Sequence, residues 1–359
     1  EFMEATVRSR AKLSYYAVDK YLTGQNEELM MHASPLEALY QVYRALRAHR
    51  QEHHLVMEDR QEYRWIMGDD KQIDHIEPFE KMLSQRLVEE CMIATNRCAA
   101  RFLNERNASG PYVTHPGFRS DRLDETRKFL DMHAPQAAQQ DPKTVEGYRS
   151  IIRALSQPEQ ELPLRTMVNR LLTRAELTVK PAPHMGMALE HYTNCTSPLR
   201  KYVDFLVHLQ IKAALHDDEA KMVDDQLLKD LSSRIASARA ATLEAERWLA
   251  SKHLARMSAQ REGMTFKARV THVNSSGFTV RLDDNGLSGF VDLRKDPEKF
   301  SYDKWTASLT STTRRFQLDK PVELRFIGVD RDNQYQASFE LVEGCGLKPP
   351  KEEKKTAAE

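Results

Sequence analysis

The sequence predicts an α+β protein in two parts: helices as far as about residue 260, then a small five-stranded β-barrel. Two observations carry this. Through most of the first part, apolar residues recur at helical spacing. At Gly263 the period changes from 3.6 to 2, and five strand-like runs follow: MTFKARVTHV, GFTVRLDD, LSGFVDL, PVELRFIGVD and QYQASFEL. A long insertion separates the third run from the fourth, an arrangement that suits a Greek-key barrel of the OB type.

The elements follow in order. Residues 10–23 form a short amphipathic helix on Leu13, Ala17 and Tyr21, stopped by Gly24. A helix over 34–50 takes Ser34 as its N-cap, Pro35 at its first position and Glu37 to close a capping box. Residues 53–78 read as a three-stranded meander that opens on a surface pair, His53-His54. Its turns fall near Asp59-Arg60 and at Gly68-Asp69-Asp70. The helix over 80–105 is apolar on two faces, so it is buried; Cys91 and Cys98 read as core residues. A Gly/Pro loop spans 107–121. Helices return at 121–133, 143–156 and 163–175, and again over 198–216 after an extended segment. A long helix over 224–258 lacks Gly and Pro and carries one apolar stripe, Leu228, Leu231, Ile235, Ala238, Ala245 and Leu249. The tail, KPPKEEKKTAAE, has too few apolar residues to fold. The expected division is therefore 1–260, a barrel over 261–343 and a disordered tail over 344–359.

Composition narrows the function. No run of 18 apolar residues exists, which excludes a membrane-crossing helix. With 53 basic and 53 acidic residues the net charge is zero, so nucleic-acid binding has to be argued from local sites. Cys91, Cys98, Cys195 and Cys345 form no CxxC pair and read as reduced thiols of a cytoplasmic protein. No signal peptide is visible, and the opening Glu1-Phe2-Met3 reads as part of a longer chain.

The strongest local signal is Thr196-Ser197-Pro198-Leu199-Arg200-Lys201. A hydroxyl cap, a proline at the first helical position and an arginine within a turn make a phosphate cradle. The competing reading is an ordinary capped helix with an Arg200–Asp204 pair. Glu89, on a buried helix, needs a partner or a job; Arg86 or Arg97 would satisfy it without chemistry. Tyr15 and Tyr16 are either core or a base-stacking platform. In the barrel, Phe266, Phe278 and Phe290 lie beside Lys267, Arg269, Arg281 and His272. Rings that stack on bases beside cations that follow phosphates suit single-stranded nucleic acid; rings that fill the barrel do not. His184 and His191 lack a third ligand for a metal.

These stretches resemble the C-terminal half of the ribonuclease II/ribonuclease R (RNB) exoribonucleases. The matching blocks are ATVRSRAKLSY at 5–15, LVEECMIATNRCAARFL at 87–103, PAPHMGMALEHYTNCTSPLRKYVDFLVH at 181–208, and the barrel. The resemblance implies a helix-rich part of an RNB-type catalytic domain followed by an OB-type RNA-binding domain. It implies hydrolysis of single-stranded RNA from the 3′ end to nucleoside 5′-monophosphates, with Mg²⁺, by a cytoplasmic monomer with no membrane partner. Tyr15 would contact the terminal nucleotides, Glu89 would stand near the reacting phosphate, and Arg200 would bind the scissile phosphate. Arg8, His184, Thr196, Ser197 and Lys201 would touch RNA. The family's aspartate cluster has no counterpart here: Asp69-Asp70 and Asp283-Asp284 sit in expected turns, so the metal ligands are expected outside this chain. Met57 stands where some members carry an aromatic clamp, and Asn194-Cys195 is an unusual lead-in. The alternatives are a non-catalytic RNA-binding fragment and a structural helical protein with a barrel.

Overall fold

The computed structural model describes residues 1–56, 61–158, 160–216, 223–261 and 263–349. Met57, the turn at Asp59-Arg60 and the end of the tail lie outside the described residues. In chain order the elements are α1 (Tyr15–Leu22), α2 (Ala33–His53), β1 (Glu62–Met67), β2 (Ile73–Phe79), α3 (Leu83–Glu105), β3 (Tyr112–Thr114), α4 (Leu123–His133), α5 (Val145–Leu155), α6 (Leu164–Met167), β4 (Glu176–Thr178), α7 (Tyr202–His216) and α8 (Asp225–Gln260). The barrel region adds β5 (Thr265–Asn274), β6 (Gly277–Leu282), β7 (Ser288–Asp292), β8 (Ser301–Asp303), β9 (Ser308–Thr310), β10 (Arg315–Gln317), β11 (Pro321–Asp330) and β12 (Gln336–Leu341). Contacts group the chain into two units: Glu1–Asp59, Glu80–Pro158 and Val168–Ala236 form one, and Arg60–Phe79, Glu159–Met167 and Ser237–Glu359 the other.

In the first unit, α1 starts where the Ser14 hydroxyl accepts the Ala17 N–H. Helix α2 departs from expectation at both ends. A 3₁₀ turn, Met30–His32, leads straight into it, so Ser34 lies inside the helix and the capping box does not form. Nothing breaks the helix before His53, and the His54 N–H closes on the Arg50 carbonyl at 2.9 Å. His53-His54 therefore ends a helix and opens no strand. Helix α3 buries Leu87, Asn96, Ala99, Ala100 and Leu103 but leaves Cys98 exposed, which corrects the reading of Cys98 as core. The expected 107–121 loop contains β3, fully buried and paired antiparallel with β4. Ala99, Ala100, Leu103, Tyr112, Cys195, Val207 and Ile211 form one apolar cluster that joins α3, β3 and α7. Glu90, with 3% of its side chain exposed, ties α2 to α3. It accepts from Arg50 at 2.9 and 2.5 Å and from Arg47 at 2.8 Å.

In the second unit, the strands close in the order β11-β12-β7-β6-β5, with β12 and β7 parallel and the other pairs antiparallel. Alternation sends Phe266, Ala268, Val270, Phe278, Val280 and Leu282 inward. The long connection holds a small sheet of order β10-β9-β8. The meander of the sequence reading is a two-stranded hairpin, β1–β2, and it packs in this unit. The Tyr63 hydroxyl donates to the Asp283 carbonyl at 2.9 Å, and its ring lies against Gly286. Gly286 has φ +68°, and a Cβ there would meet the ring at 2.2 Å, so this turn needs glycine twice over. His253 and Arg256 of α8 bond the Ile73 carbonyl. The stripe expected on α8 is not covered: residues 232–248 are exposed all round, and only the ends bury Leu228 and Leu254. Part of the expected disordered tail is paired, since Leu347 and Arg315 exchange backbone bonds of 2.7 and 2.9 Å.

Candidate active site

The segment 192–197 is held on three sides. The Val113 N–H donates to the Tyr192 carbonyl at 2.9 Å, and the Thr193 hydroxyl donates to the Pro111 carbonyl. Asn96, buried on α3, accepts the Cys195 N–H at 2.9 Å and donates to the Tyr192 hydroxyl at 2.9 Å. His208 of α7 donates to the Cys195 carbonyl at 2.7 Å. Cys195 is thus enclosed, and burial pushes its thiol up to about 11.

Beyond this anchor, helix α7 begins at Tyr202, four residues later than expected. The Asp204 carboxylate, 1% exposed, reaches back to accept the Ser197 N–H at 2.9 Å. The Arg200 and Lys201 N–H groups bond the Ser197 carbonyl. Two corrections follow. Thr196 and Ser197 do not cap a helix, and the backbone donors of the supposed cradle are used within the turn. The Arg200–Asp204 pair is also absent. Arg200 is instead exposed and unpaired among the described residues, with Lys201 beside it and Leu199 fully exposed. The turn projects a guanidinium from a rigid base.

Helix α3 gathers the other candidates. Glu89 precedes Asn96 by seven residues, two turns, so the two share a stripe about 10 Å apart along the axis. The partly exposed Glu89 carboxylate pairs with Lys81, where Arg86 or Arg97 was expected. The Tyr15 carbonyl accepts the Ser84 hydroxyl at 2.8 Å, which sets the start of α1 against the start of α3; Tyr15 is 48% exposed. Tyr15, Glu89 and the Arg200 turn are therefore all tied to one helix. Arg8 lies in an exposed segment without regular structure. Asn96, the residue that binds the turn to α3, escaped the sequence reading, although a lone amide in an apolar stripe was a signal for it.

The His184 ring packs against His115 at 5.5 Å and Tyr192 at 5.7 Å, and the residue is only partly exposed. Burial, with His115 adding to it, pushes its imidazole down to about 4. That value is below the ordinary one of about 6.5, so the unfolded chain takes up the proton first as pH falls. The stability tied to neutral His184 is complete above about pH 6.5 and is lost towards pH 4, at no more than about 1.4 kcal/mol per pH unit. The melting temperature of the parent should fall over this window more steeply than that of His184→Gln; parallel curves would remove His184 as the cause.

In the barrel unit, Phe266 and Phe278 are 4% and 0% exposed, so they fill the core and cannot stack on bases. Phe290 points outward. It lies in one row with His272, Thr279 and Ser338, each in register with its neighbour across β5, β6, β7 and β12. The next row pairs Arg269 with Arg281. Lys267 and Arg269 are exposed on β5; Arg269 lies 3.9 Å from Asp283. This face presents one ring among cations and hydroxyls.

Among the described residues no three His, Cys, Asp or Glu side chains converge to hold a metal ion. The Mg²⁺ implied by the resemblance finds no complete set of side-chain ligands among them.

The RNB domain family matches residues 1–217 and the S1 RNA binding domain family residues 259–338; the chain belongs to the RNB family. Exoribonuclease 2 of Pectobacterium atrosepticum is 33% identical over 297 residues, 81% of this chain and 45% of the relative. The chain thus spans about half the length of the curated relatives it matches. Mycoplasma genitalium RNase R, solved in complex with ribose-methylated single-stranded RNA, superposes with a TM-score of 0.72 at 20% identity, over 91% of this chain and 53% of that one. A yeast pseudonuclease superposes with a TM-score of 0.58 at 17% identity, over 84% and 38%. The fold is therefore shared by an inactive protein, and catalysis has to be argued from residues.

Proposed function

We propose that the chain is part of a 3′–5′ exoribonuclease that hydrolyses single-stranded RNA to nucleoside 5′-monophosphates, with residues 1–260 contributing to the catalytic domain and 261–343 holding RNA. One observation carries this reading: an unpaired Arg200 stands on a turn fixed to the helix that carries Glu89 and braces Tyr15. Arg200 grips the non-bridging oxygens of the last linkage and meets the charge that develops there. Tyr15 packs against the terminal nucleotide. Glu89, partnered by Lys81, sets the acidic side of the site. Thr196, Ser197 and Lys201 line the approach.

The outer barrel row holds the incoming strand, with Phe290 as the stacking ring and His272, Lys267 and Arg269 along the phosphates. A divalent ion is required, and it takes its ligands from outside the described residues. The protein acts as a monomer in the cytoplasm. The test is an RNA oligonucleotide incubated with Mg²⁺ and the whole enzyme of which this chain is part. Release of nucleoside 5′-monophosphates supports the proposal; salt-sensitive binding without release would favour a non-catalytic RNA-binding role. In the same assay Phe290→Ala should weaken RNA binding by about 1–3 kcal/mol.

A further inference from the structure

A cavity of about 310 Å³ lies within the second unit, where β1, α8 and the outer face of the barrel meet. Trp65, Leu243, Arg247, Thr279, Tyr335 and Gln336 stand on its wall, and each is at least partly exposed. The volume is at the small end of ligand sites and suits a flat ring system. Tyr15, Glu89 and Arg200 do not line it.

Two aromatic side chains reach the cavity by different routes. Trp65 follows Tyr63 by two residues on β1, so it shares the face that Tyr63 turns to the barrel. Its ring touches no other ring, and its indole N–H has no protein partner among the described residues. Tyr335 is held in a strained place. The connection from β11 to β12 ends in a turn closed by the Gln336 N–H on the Asn333 carbonyl at 3.1 Å. Both its central residues, Gln334 and Tyr335, are left-handed, with φ +51° and +58°. Such positions ordinarily take Gly, Asn or Asp, because a larger side chain crowds its own backbone there. Strain of this kind persists where the surroundings fix it, and it gathers at ligand sites. Here α8 does the fixing: Arg247 donates to the Gln334 side-chain oxygen at 2.7 Å. That acceptor is a neutral amide, and Arg247 makes no ion pair among the described residues, so its charge stays uncompensated.

The cavity is continuous with the row assigned to the incoming strand. Thr279, in register with His272 and Phe290, stands on its wall. Thr279 and Gln336 also line a larger groove, of about 1050 Å³, that takes in Phe290 and Ser338. A strand lying on the row can therefore turn one base aside into the cavity without leaving the surface. Two rings offer it stacking faces, and Arg247 offers a cation to a neighbouring phosphate. Glu246 is the one acid among the described residues that line the cavity; it disfavours a phosphate inside and suits the amino group of a base.

We propose that this cavity takes one unpaired nucleobase of an RNA strand held on the outer barrel row, stacked on Trp65 and Tyr335, with Arg247 on an adjoining phosphate. This base site rests on the reading that the outer row holds RNA.

Fluorescence anisotropy on the whole chain tests it, with a labelled single-stranded oligoadenylate and with EDTA present to stop hydrolysis. Tyr335→Gly removes the ring and gives the left-handed position the residue it favours. It should weaken binding at least about fivefold and leave the melting temperature equal to or above the parent's. Trp65→Leu should weaken binding to a similar degree. Neither should change the salt dependence of Kd, since neither ring meets a phosphate, whereas Arg247→Gln should lower the slope of log Kd against log salt by about 0.7. The base site is excluded if either Tyr335→Gly or Trp65→Leu binds like the parent, or if Tyr335→Gly loses binding only together with a lower melting temperature. Phe290→Ala then shows which reading is at fault. Weakened binding by Phe290→Ala condemns the base site alone; parent-like binding condemns the outer row with it.

Discussion

In the whole exoribonuclease of which the chain is proposed to be part, Arg200→Ala should slow mononucleotide release from single-stranded RNA about 100- to 1000-fold and leave the RNA Kd within about threefold of the parent. The reason is geometric. Asn96 and His208 fix the Cys195 backbone, and Asp204 fixes Ser197, so the turn carrying Arg200 is set before RNA arrives. A preset guanidinium acts most on charge that grows during the reaction and least on the ground state. Ground-state binding is shared with the outer barrel row and survives the substitution. Arg200→Lys should recover little, because an ammonium cannot span two phosphoryl oxygens. Single-turnover rates and equilibrium binding on the same oligonucleotide decide the matter. Equal losses in rate and affinity would reduce Arg200 to a simple phosphate contact.

Arg50→Met should destabilise the protein by about 3–5 kcal/mol and lower its melting temperature on the order of 10 °C. The Glu90 carboxylate is enclosed, with 3% of its side chain exposed, and Arg50 supplies two of its three hydrogen bonds. Removing Arg50 leaves a buried charge served only by the more exposed Arg47. Adding Glu90→Leu to Arg50→Met should restore much of the loss, since the cost lies in the stranded charge. Thermal melts of the single and double variants measure this. A double variant no more stable than Arg50→Met would show that the pair acts through packing instead.

The barrel was legible because a period of two is unmistakable over ten-residue strands such as β5. Which phenylalanines face the core was harder to read, because strand parity depends on register; the bulge between Val270 and His272 shifts it within β5. The adjacent acids Glu89 and Glu90 point about 100° apart on a helix. Choosing between a buried anchor and an accessible acid needed Arg47 and Arg50, some forty residues away, and sequence spacing does not reveal that pairing. The Thr196–Lys201 block is conspicuous in the sequence, but its spacing alone does not reveal that Asp204, in the first turn of α7, folds back onto Ser197 and displaces the cap. Asn96 is legible as a lone amide on a largely apolar helix, a position that calls for buried hydrogen-bond partners. The end of α2 was lost to a general weakness: two histidines say little about whether a helix continues.

The hairpin β1–β2 sits early in the chain yet belongs with strands made much later: Tyr63 meets Asp283 across 220 positions. At about 5–20 residues per second, translation separates the two by roughly 10–45 s. An isolated two-stranded ribbon is marginal in water. During that interval its ring and open edges have no lasting cover, so the nascent chain carries a sticky, half-finished surface while the intervening helices are being made. Assembly of the second unit is thus necessarily late, and this interval is when a holdase would find most to bind.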